Sequence, residues 1–169
     1  MRNLFDLFNK KKIMIVGDVM LDIYMKGKVE RISPEAPVPI VSVTEDFSRL
    51  GGAANVAQNL KALGANPIIC SIVGDDEKAK ELIELLRKQE ICDCGIIKSK
   101  ERITTRKVRI IGNSAQMLRV DTEDTFDLTE KESPPVDMVK EQPKPETKVE
   151  KVKKEAPAYL TENARKIYD

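Results

Sequence analysis

Apolar residues follow two different spacings in the first 128 residues of the chain. Residues 12–17, KIMIVG, and residues 67–73, PIICSIV, are continuous apolar runs. Such runs are typical of strands buried on both faces, as in a parallel sheet. Residues 53–63 and the stretch after Asp75 instead place apolar residues three and four positions apart, which predicts amphipathic helices. Strand alternating with helix predicts an α/β fold built on a parallel sheet.

The two predicted helices have definable ends and core-facing stripes. The first, residues 53–63, carries Val56, Leu60 and Leu63 on one side and ends at Gly64. Asp75 is predicted to cap the second helix, because a carboxylate there accepts a hydrogen bond from the first free N–H groups. The predicted core stripe of that helix is Ala79, Leu82, Ile83 and Leu86.

Three further predicted strands do not belong to this alternation of strands and helices. Residues 38–43, VPIVSV, are strand-like, but Pro39 confines them to the edge of a sheet. Residues 106–112 and 116–121 alternate polar and apolar side chains around a turn at Gly112, Asn113 and Ser114, which predicts a hairpin with one solvent-exposed face. These strands predict a small side sheet attached to the main one.

The sequence changes character at residue 129. Prolines cluster, lysine alternates with glutamate, and glycine is absent. Such a segment buries too little apolar surface to offset the entropy of ordering it. We therefore divide the chain into a folded domain, residues 1–128, and a disordered charged tail, residues 129–169. Residues 159–168 fit either a short helix or a frayed terminus.

Composition narrows the classes of function. The formal net charge is +1, and no apolar run approaches the length of a membrane span, so neither nucleic acid nor membrane is expected as a partner. Histidine is absent, which removes the commonest general base and metal ligand. Cys70 lies in an apolar run, and Cys92 and Cys94 lack a second pair of ligands for zinc. A reduced, cytoplasmic protein without a metal site is expected.

Two adjacent glycines precede the first predicted helix. A side chain at Gly51 or Gly52 would keep a ligand away from the backbone, and the first helical N–H groups attract hydroxyl or phosphate oxygens. Asn55 adds an amide that donates and accepts. This pattern suits a polyhydroxylated ligand, but it also fits a tight turn with no ligand.

The same residues resemble the signature of the ribokinase-like (PfkB) carbohydrate kinases. Residues 51–74, GGAANVAQNLKALGANPIICSIVG, match its paired glycines, its Asn, and the later glycines at Gly64 and Gly74. RISPEAPVP at residues 31–39 and QMLRVD at residues 116–121 are similar to the heptose 7-phosphate kinases of lipopolysaccharide-core synthesis. The resemblance covers residues 12–125. It implies that the α/β fold is a partial ribokinase-like sheet with a small β lid.

The resemblance implies a reaction and a site. Enzymes of this type use ATP and Mg²⁺ to phosphorylate a sugar hydroxyl, here the anomeric hydroxyl of heptose 7-phosphate. Asp22 would grip sugar hydroxyls beside Gly51, Gly52 and Asn55, whereas Asp18 is expected to be a turn residue. On the lid, Lys107 and Arg109 point the same way and would either meet the substrate phosphate or face solvent. The lid would also pair with a second subunit.

The groups with which the family catalyses phosphoryl transfer are not recognisable in the chain. The family takes its base and anion hole from a Gly-Ala-Gly-Asp turn, but Gly112 is the last glycine here and no phosphate-binding loop replaces that turn. No catalytic residue is therefore assigned, and we expect the chain alone to be inactive. Three hypotheses stay open: a truncated sugar kinase whose catalytic half is lost or supplied by another chain, a non-catalytic module that binds a sugar phosphate or dimerises through its lid, and a gene remnant.

Overall fold

The computed structural model describes residues 7–9, 11–129 and 132. They all belong to one compact unit of the chain. Except for Thr129 and Glu132, the predicted tail lies outside the described residues, as does its candidate helix. The elements are β1 Lys12–Val16, β2 Val19–Ile32, β3 Pro39–Gly52, α1 Ala53–Ala62, β4 Asn66–Gly74, α2 Glu77–Lys88, β5 Cys92–Ser99, β6 Arg106–Gly112 and β7 Ala115–Thr122.

The main sheet is parallel, as its apolar runs predict. Its order is β1-β4-β5, with Met14 of β1 opposite Ile68 of β4. Ile69 and Val73 of β4 are buried in the core. Strand β5 was not predicted, since Cys92, Asp93 and Gly95 interrupt its apolar pattern. The predicted α/β class is confirmed.

Helices α1 and α2 pack on this sheet. The apolar stripe predicted for α2 is buried there, whereas the one predicted for α1 is not. The stripe of α2 is confirmed, because its four predicted residues are the buried ones. The stripe of α1 is wrong, since Ala54 and Ala57 are buried while Val56 and Leu63 are 49% and 46% exposed. Small alanines let α1 approach the sheet closely, and the larger side chains are left at its flanks.

The cap of α2 is Asp76, one residue later than predicted. Asp76 Oδ1 accepts hydrogen bonds from the Ala79 N–H and the Thr104 hydroxyl, both at 2.8 Å, and Oδ2 accepts from the Thr104 N–H at 2.8 Å. Asp75 is exposed and its N–H donates to the Ser99 carbonyl. Burial acts to raise the pKa of Asp76, but the hydrogen bonds from Thr104 and Ala79 outweigh it and lower that pKa below 3.8.

Replacing Asp76 with alanine is expected to reduce the free energy of unfolding by about 2 kcal/mol, since a cap and two links to Thr104 are lost. A carboxyl with a lowered folded-state pKa contributes fully above its ordinary pKa of 3.8 and loses that contribution as the pH falls below it. Urea unfolding of wild type and Asp76→Ala at neutral pH should show the full difference, which shrinks at successive pH values below 3.8. The matched control, Asp75→Ala, should be near wild type, and an equal loss in it would contradict the assignment of the cap.

The second sheet is the predicted lid, with order β3-β2-β6-β7. Strand β3 lies at its edge, as Pro39 predicts, and β6 and β7 form the predicted hairpin, turning at Asn113 and Ser114 with positive φ. Strand β2 was missed, although it is the long central strand that pairs antiparallel with β3 and parallel with β6. Val19, Leu21 and Ile23 of β2 join the core of the main sheet, so the two sheets share one hydrophobic core.

The cysteines differ from the expectation of reduced thiols. Cys92 and Cys94 form a disulfide, with Cα atoms 5.4 Å apart. The pairing of β4 with β5 shifts register opposite this pair, between Ile68 and Cys70. Cys70 is a free, half-buried thiol. None of the helices in the described part of the chain is both long enough and apolar enough to cross a membrane.

Candidate functional site

The glycine pair sits where the lid meets the main sheet. Two residues separate the end of β1 from the start of β2, and β3 returns beside β2 so that Gly52 lies opposite Val19. The Ala53 N–H, the first of α1, donates to the Asp18 carbonyl at 2.8 Å. Gly52 has φ +58°, and a Cβ there would lie 2.3 Å from that same carbonyl oxygen. Gly52 therefore has a packing role, and the first helical N–H is already bonded within the protein.

Asp22 lies on one face of the lid sheet and is held there by a cation. Arg109 Nη1 donates to Asp22 Oδ1 at 2.5 Å, and both side chains are about one-fifth exposed, at 22% and 20%. The hydrogen bond to Asp22 raises the pKa of Arg109 above its ordinary value. Oδ2 of Asp22 faces Gly51, where an added Cβ would lie only 2.6 Å from it. Glycine at position 51 thus leaves room for this oxygen.

Lys107 shares the face of Asp22 and Arg109, as the period of two along β6 predicts. Its Nζ donates to Asp121 Oδ2 at 3.1 Å and to Glu123 Oε2 at 3.2 Å. These hydrogen bonds raise the pKa of Lys107, and the bond from Lys107 lowers the pKa of Asp121. Both cations predicted for the substrate phosphate are therefore paired with carboxylates of the chain.

An aromatic pair continues the same face beyond Asp22. The rings of Tyr24 and Phe47 stack with centroids 5.2 Å apart. The Arg49 guanidinium lies over both, 5.5 Å from the Tyr24 centroid and 5.0 Å from that of Phe47. Arg49 was not predicted as a site residue. The signal was present in its spacing from Phe47, because residues two apart on a strand share a face.

Asn55 lies in the first turn of α1 and is exposed. It lines a cavity of about 290 Å³ together with Arg49, Ser48, Gln58 and Gln89. Asp22, Gly51 and Gly52 do not line this cavity. The structure thus brings Asp22, Gly51, Lys107 and Arg109 to one face, and it places Asn55 beside Arg49 instead.

A larger cavity, of about 500 Å³, is lined by the end of β1, by residues in the middle of β4 and β5, and by the segment that follows β7. The lining includes Gly17, Asp18, Ser71, Gly95, Thr105 and Asp124. Sequence reasoning assigned none of these except Asp18, which it expected to be a turn residue.

The sequence model of the pfkB family of carbohydrate kinases matches residues 10–156. The chain belongs to the PfkB family. The match continues past residue 129, where the sequence analysis placed the start of the tail. The predicted membership of this family is confirmed.

Among curated PfkB relatives, the bifunctional protein HldE of Helicobacter pylori strain HPAG1 is 50% identical over 113 residues, which are 67% of this chain and 24% of that protein. The bifunctional protein HldE of Coxiella burnetii strain RSA 331 is 45% identical over 120 residues, 71% of this chain and 25% of that protein. The chain therefore spans about a quarter of the length of the curated relatives it matches.

Solved structures of carbohydrate and sugar kinases share the fold at lower identity. A carbohydrate kinase from Agrobacterium tumefaciens superposes with a TM-score of 0.54 at 20% identity, covering 66% of this chain and 35% of that one. The sugar kinase PH1459 of Pyrococcus horikoshii, solved in complex with ATP, has a TM-score of 0.54 at 24% identity and covers 76% and 40%. The predicted ribokinase-like architecture is confirmed.

In this PfkB chain, Arg102 organises the segment that borders the larger cavity. Its side chain pairs with Glu132, with exposed fractions of 8% and 6%, and its Nη2 donates to the carbonyls of Phe126 and Asp127. Hydrogen bonds from the Thr129 N–H, Ser99 and Arg102 lower the pKa of Glu132 to about 2. Glu132 lies within the stretch assigned to the tail, so the ordered contacts reach past residue 128.

Proposed function

We propose that the chain binds heptose 7-phosphate for a cytoplasmic PfkB kinase, in which ATP phosphorylates the anomeric hydroxyl of the sugar. Such a step leads toward ADP-heptose and lipopolysaccharide-core precursors. Membership of the PfkB family and 50% sequence identity to an HldE protein support a sugar phosphate as the substrate. The chain supplies the lid and the sugar-binding residues in this proposal.

The orientation of Asp22 carries the proposal. Arg109 occupies Oδ1 and fixes the carboxylate, and the described residues give Oδ2 no hydrogen bond. Because Gly51 has no side chain, a sugar hydroxyl reaching Oδ2 meets no Cβ. A fixed carboxylate with one free oxygen accepts a directed hydrogen bond, which suits the recognition of a hydroxyl.

The rest of the reaction is not assigned to described residues. ATP supplies the phosphoryl group in this proposal. Within residues 7–9, 11–129 and 132, no group of three or more acidic or cysteine side chains is arranged to hold a metal ion, so no step is assigned to Mg²⁺. The general base and the anion hole belong in the proposal to a complementing catalytic half.

Calorimetry with heptose 7-phosphate tests the site. Asp22→Ala is expected to weaken binding by about 2 kcal/mol, because a charge-assisted hydrogen bond is lost, and Asn55→Ala by about 1 kcal/mol. The matched control is Asp46→Ala, which removes an exposed lid carboxylate opposite Met25 that makes no ion pair with a described residue. Circular dichroism checks that Asp22→Ala is folded despite the unpaired Arg109. Unchanged binding in both site variants would refute the assignment.

A second candidate function is dimerisation through the lid. Strand β7 is an edge strand, and its Leu118 and Val120 are 55% and 44% exposed. Exposed apolar residues on an unpaired edge favour pairing with a second copy of the strand. Light scattering of the purified chain is expected to report a dimer, and a monomer at high concentration would remove this candidate.

A further inference from the structure

Charge balance singles out Arg49 on the face of the lid that carries Asp22. We define the Asp22 face as Asp22, Tyr24 and Lys26 of β2 with the residues beside them on the same side of the sheet: Glu45, Phe47, Arg49, Lys107, Arg109, Arg119 and Asp121. Four of its five cations pair with carboxylates, namely Lys26 with Glu45, Lys107 with Asp121, Arg109 with Asp22, and Arg119 with Asp121.

Arg49 is the remaining cation, and no carboxylate among the described residues pairs with it. Lys28 likewise forms no ion pair within the described part of the chain, but it lies past Gly27, where β6 stops pairing with β2. Arg49 stands directly opposite Asp22 in the register of β2 and β3. An uncompensated positive charge therefore lies beside the carboxylate proposed to hold the sugar.

The surroundings of Arg49 orient its guanidinium and leave it accessible. The side chain is exposed, and the stacked rings of Tyr24 and Phe47 hold the cation against their faces. A guanidinium held over aromatic rings still has N–H groups with which to donate to a ligand. A planar fork of N–H groups binds a phosphate through two parallel hydrogen bonds.

The cavity next to Arg49 has the volume and polarity for a phosphate. It is about 290 Å³, and Ser48, Asn55, Gln58 and Gln89 line it with hydroxyl and amide groups. No acidic side chain lines the cavity itself, and the nearby Glu81 carboxylate accepts a hydrogen bond from the Ser48 side chain. By contrast, Asp121 and Glu123 already surround Lys107, the cation first predicted for this role.

We propose that Arg49, with the polar residues of this cavity, is the binding site for the phosphate group of a sugar phosphate whose hydroxyls bind at Asp22. The inference rests on the proposed function and adds a residue that discriminates phosphorylated from unphosphorylated sugar. Lys107 and Arg109 then position the lid and Asp22, and they do not contact the phosphate.

The test is calorimetry on the 169-residue chain with heptose 7-phosphate and, separately, with the same heptose lacking the phosphate. Arg49→Met keeps a long apolar side chain but removes the guanidinium group. It is expected to weaken binding of the phosphorylated sugar about 10- to 100-fold, the range for a lost charge-assisted hydrogen bond. Binding of the unphosphorylated sugar should stay within about twofold, while Arg49→Lys should recover part of the loss.

Arg119→Met is the matched control, because it removes a cation of the same face that is already paired with Asp121. It should bind both sugars as the wild type does. An equal loss for both sugars in Arg49→Met, or no loss for either, would overturn the assignment of the phosphate site while leaving sugar binding intact. A wild-type chain that binds neither sugar would instead refute the proposed function, and the phosphate site with it.

Discussion

The purified 169-residue chain is expected to leave ATP unconsumed when heptose 7-phosphate is supplied. A missing general base lowers the rate about 10²- to 10⁴-fold, and missing anion-hole donors lower it by about another 10²- to 10³-fold. The carboxylates that follow the lid hairpin do not replace the base. Lys107 lowers the pKa of Asp121, and Asp124 Oδ2 accepts a hydrogen bond from the Ile103 N–H at 2.8 Å.

A coupled assay of ADP formation measures this, using protein freed of host kinases and a calibration with added ADP. Turnover that copurifies with the chain and disappears in Asp22→Ala would contradict the prediction. It would show that residues of this chain complete the transfer site. Turnover that survives in Asp22→Ala would indicate a contaminating kinase, and the preparation would need repeating.

Gly52→Ala is expected to lower the free energy of unfolding by about 3 kcal/mol or more. With φ +58° and ψ −134°, Gly52 adopts a backbone conformation that costs an L residue about 1–3 kcal/mol. The new Cβ would also lie 2.3 Å from the Asp18 carbonyl oxygen, which is backbone and cannot rotate away. Relieving that overlap breaks the hydrogen bond from the Ala53 N–H, which adds about 1 kcal/mol.

Gly64→Ala is the matched control for Gly52→Ala in a denaturant titration. Gly64 also has positive φ, +94°, but its added Cβ would meet only the side chain of Asn9, which can move. Gly64→Ala should lower the free energy of unfolding by about 1–2 kcal/mol, from backbone strain alone. If the two variants lose equally, the contact between Gly52 and Asp18 does not hold the start of α1.

The parts of the fold that sequence predicted are those where one physical effect dominates. Strands β1 and β4 are buried on both faces, so their apolar runs are unmistakable. The stripe of α2 is broad because Leu82 and Leu86 reach down to the sheet. Strand β2 was missed although Val19, Leu21 and Ile23 occupy every second position, because the apolar Met20 between them blurs the alternation.

Other errors came from tertiary contacts that local pattern does not encode. Val56 and Leu63 were expected inside, yet the approach of α1 to the sheet favours Ala54 and Ala57. The choice of Asp76 over Asp75 depends on Thr104, which lies 28 residues further along the chain. In the site, the residue types of Lys107 and Arg109 suggested phosphate binding, but their pairing with carboxylates depends on neighbouring strands that spacing alone does not reveal.

The place of β2 between β3 and β6 has a consequence for the order of folding. Its antiparallel pairing with β3 is local, whereas Asp22 and Lys107, which lie opposite each other, are about 85 residues apart in the chain. Contacts between distant residues close large loops and form slowly. The β2–β3 hairpin is therefore expected to form early, with Arg49 already beside Asp22, and Arg109 arrives only when β6 docks. A ligand that contacts the Arg109-held carboxylate is therefore expected to bind only after β6 has docked.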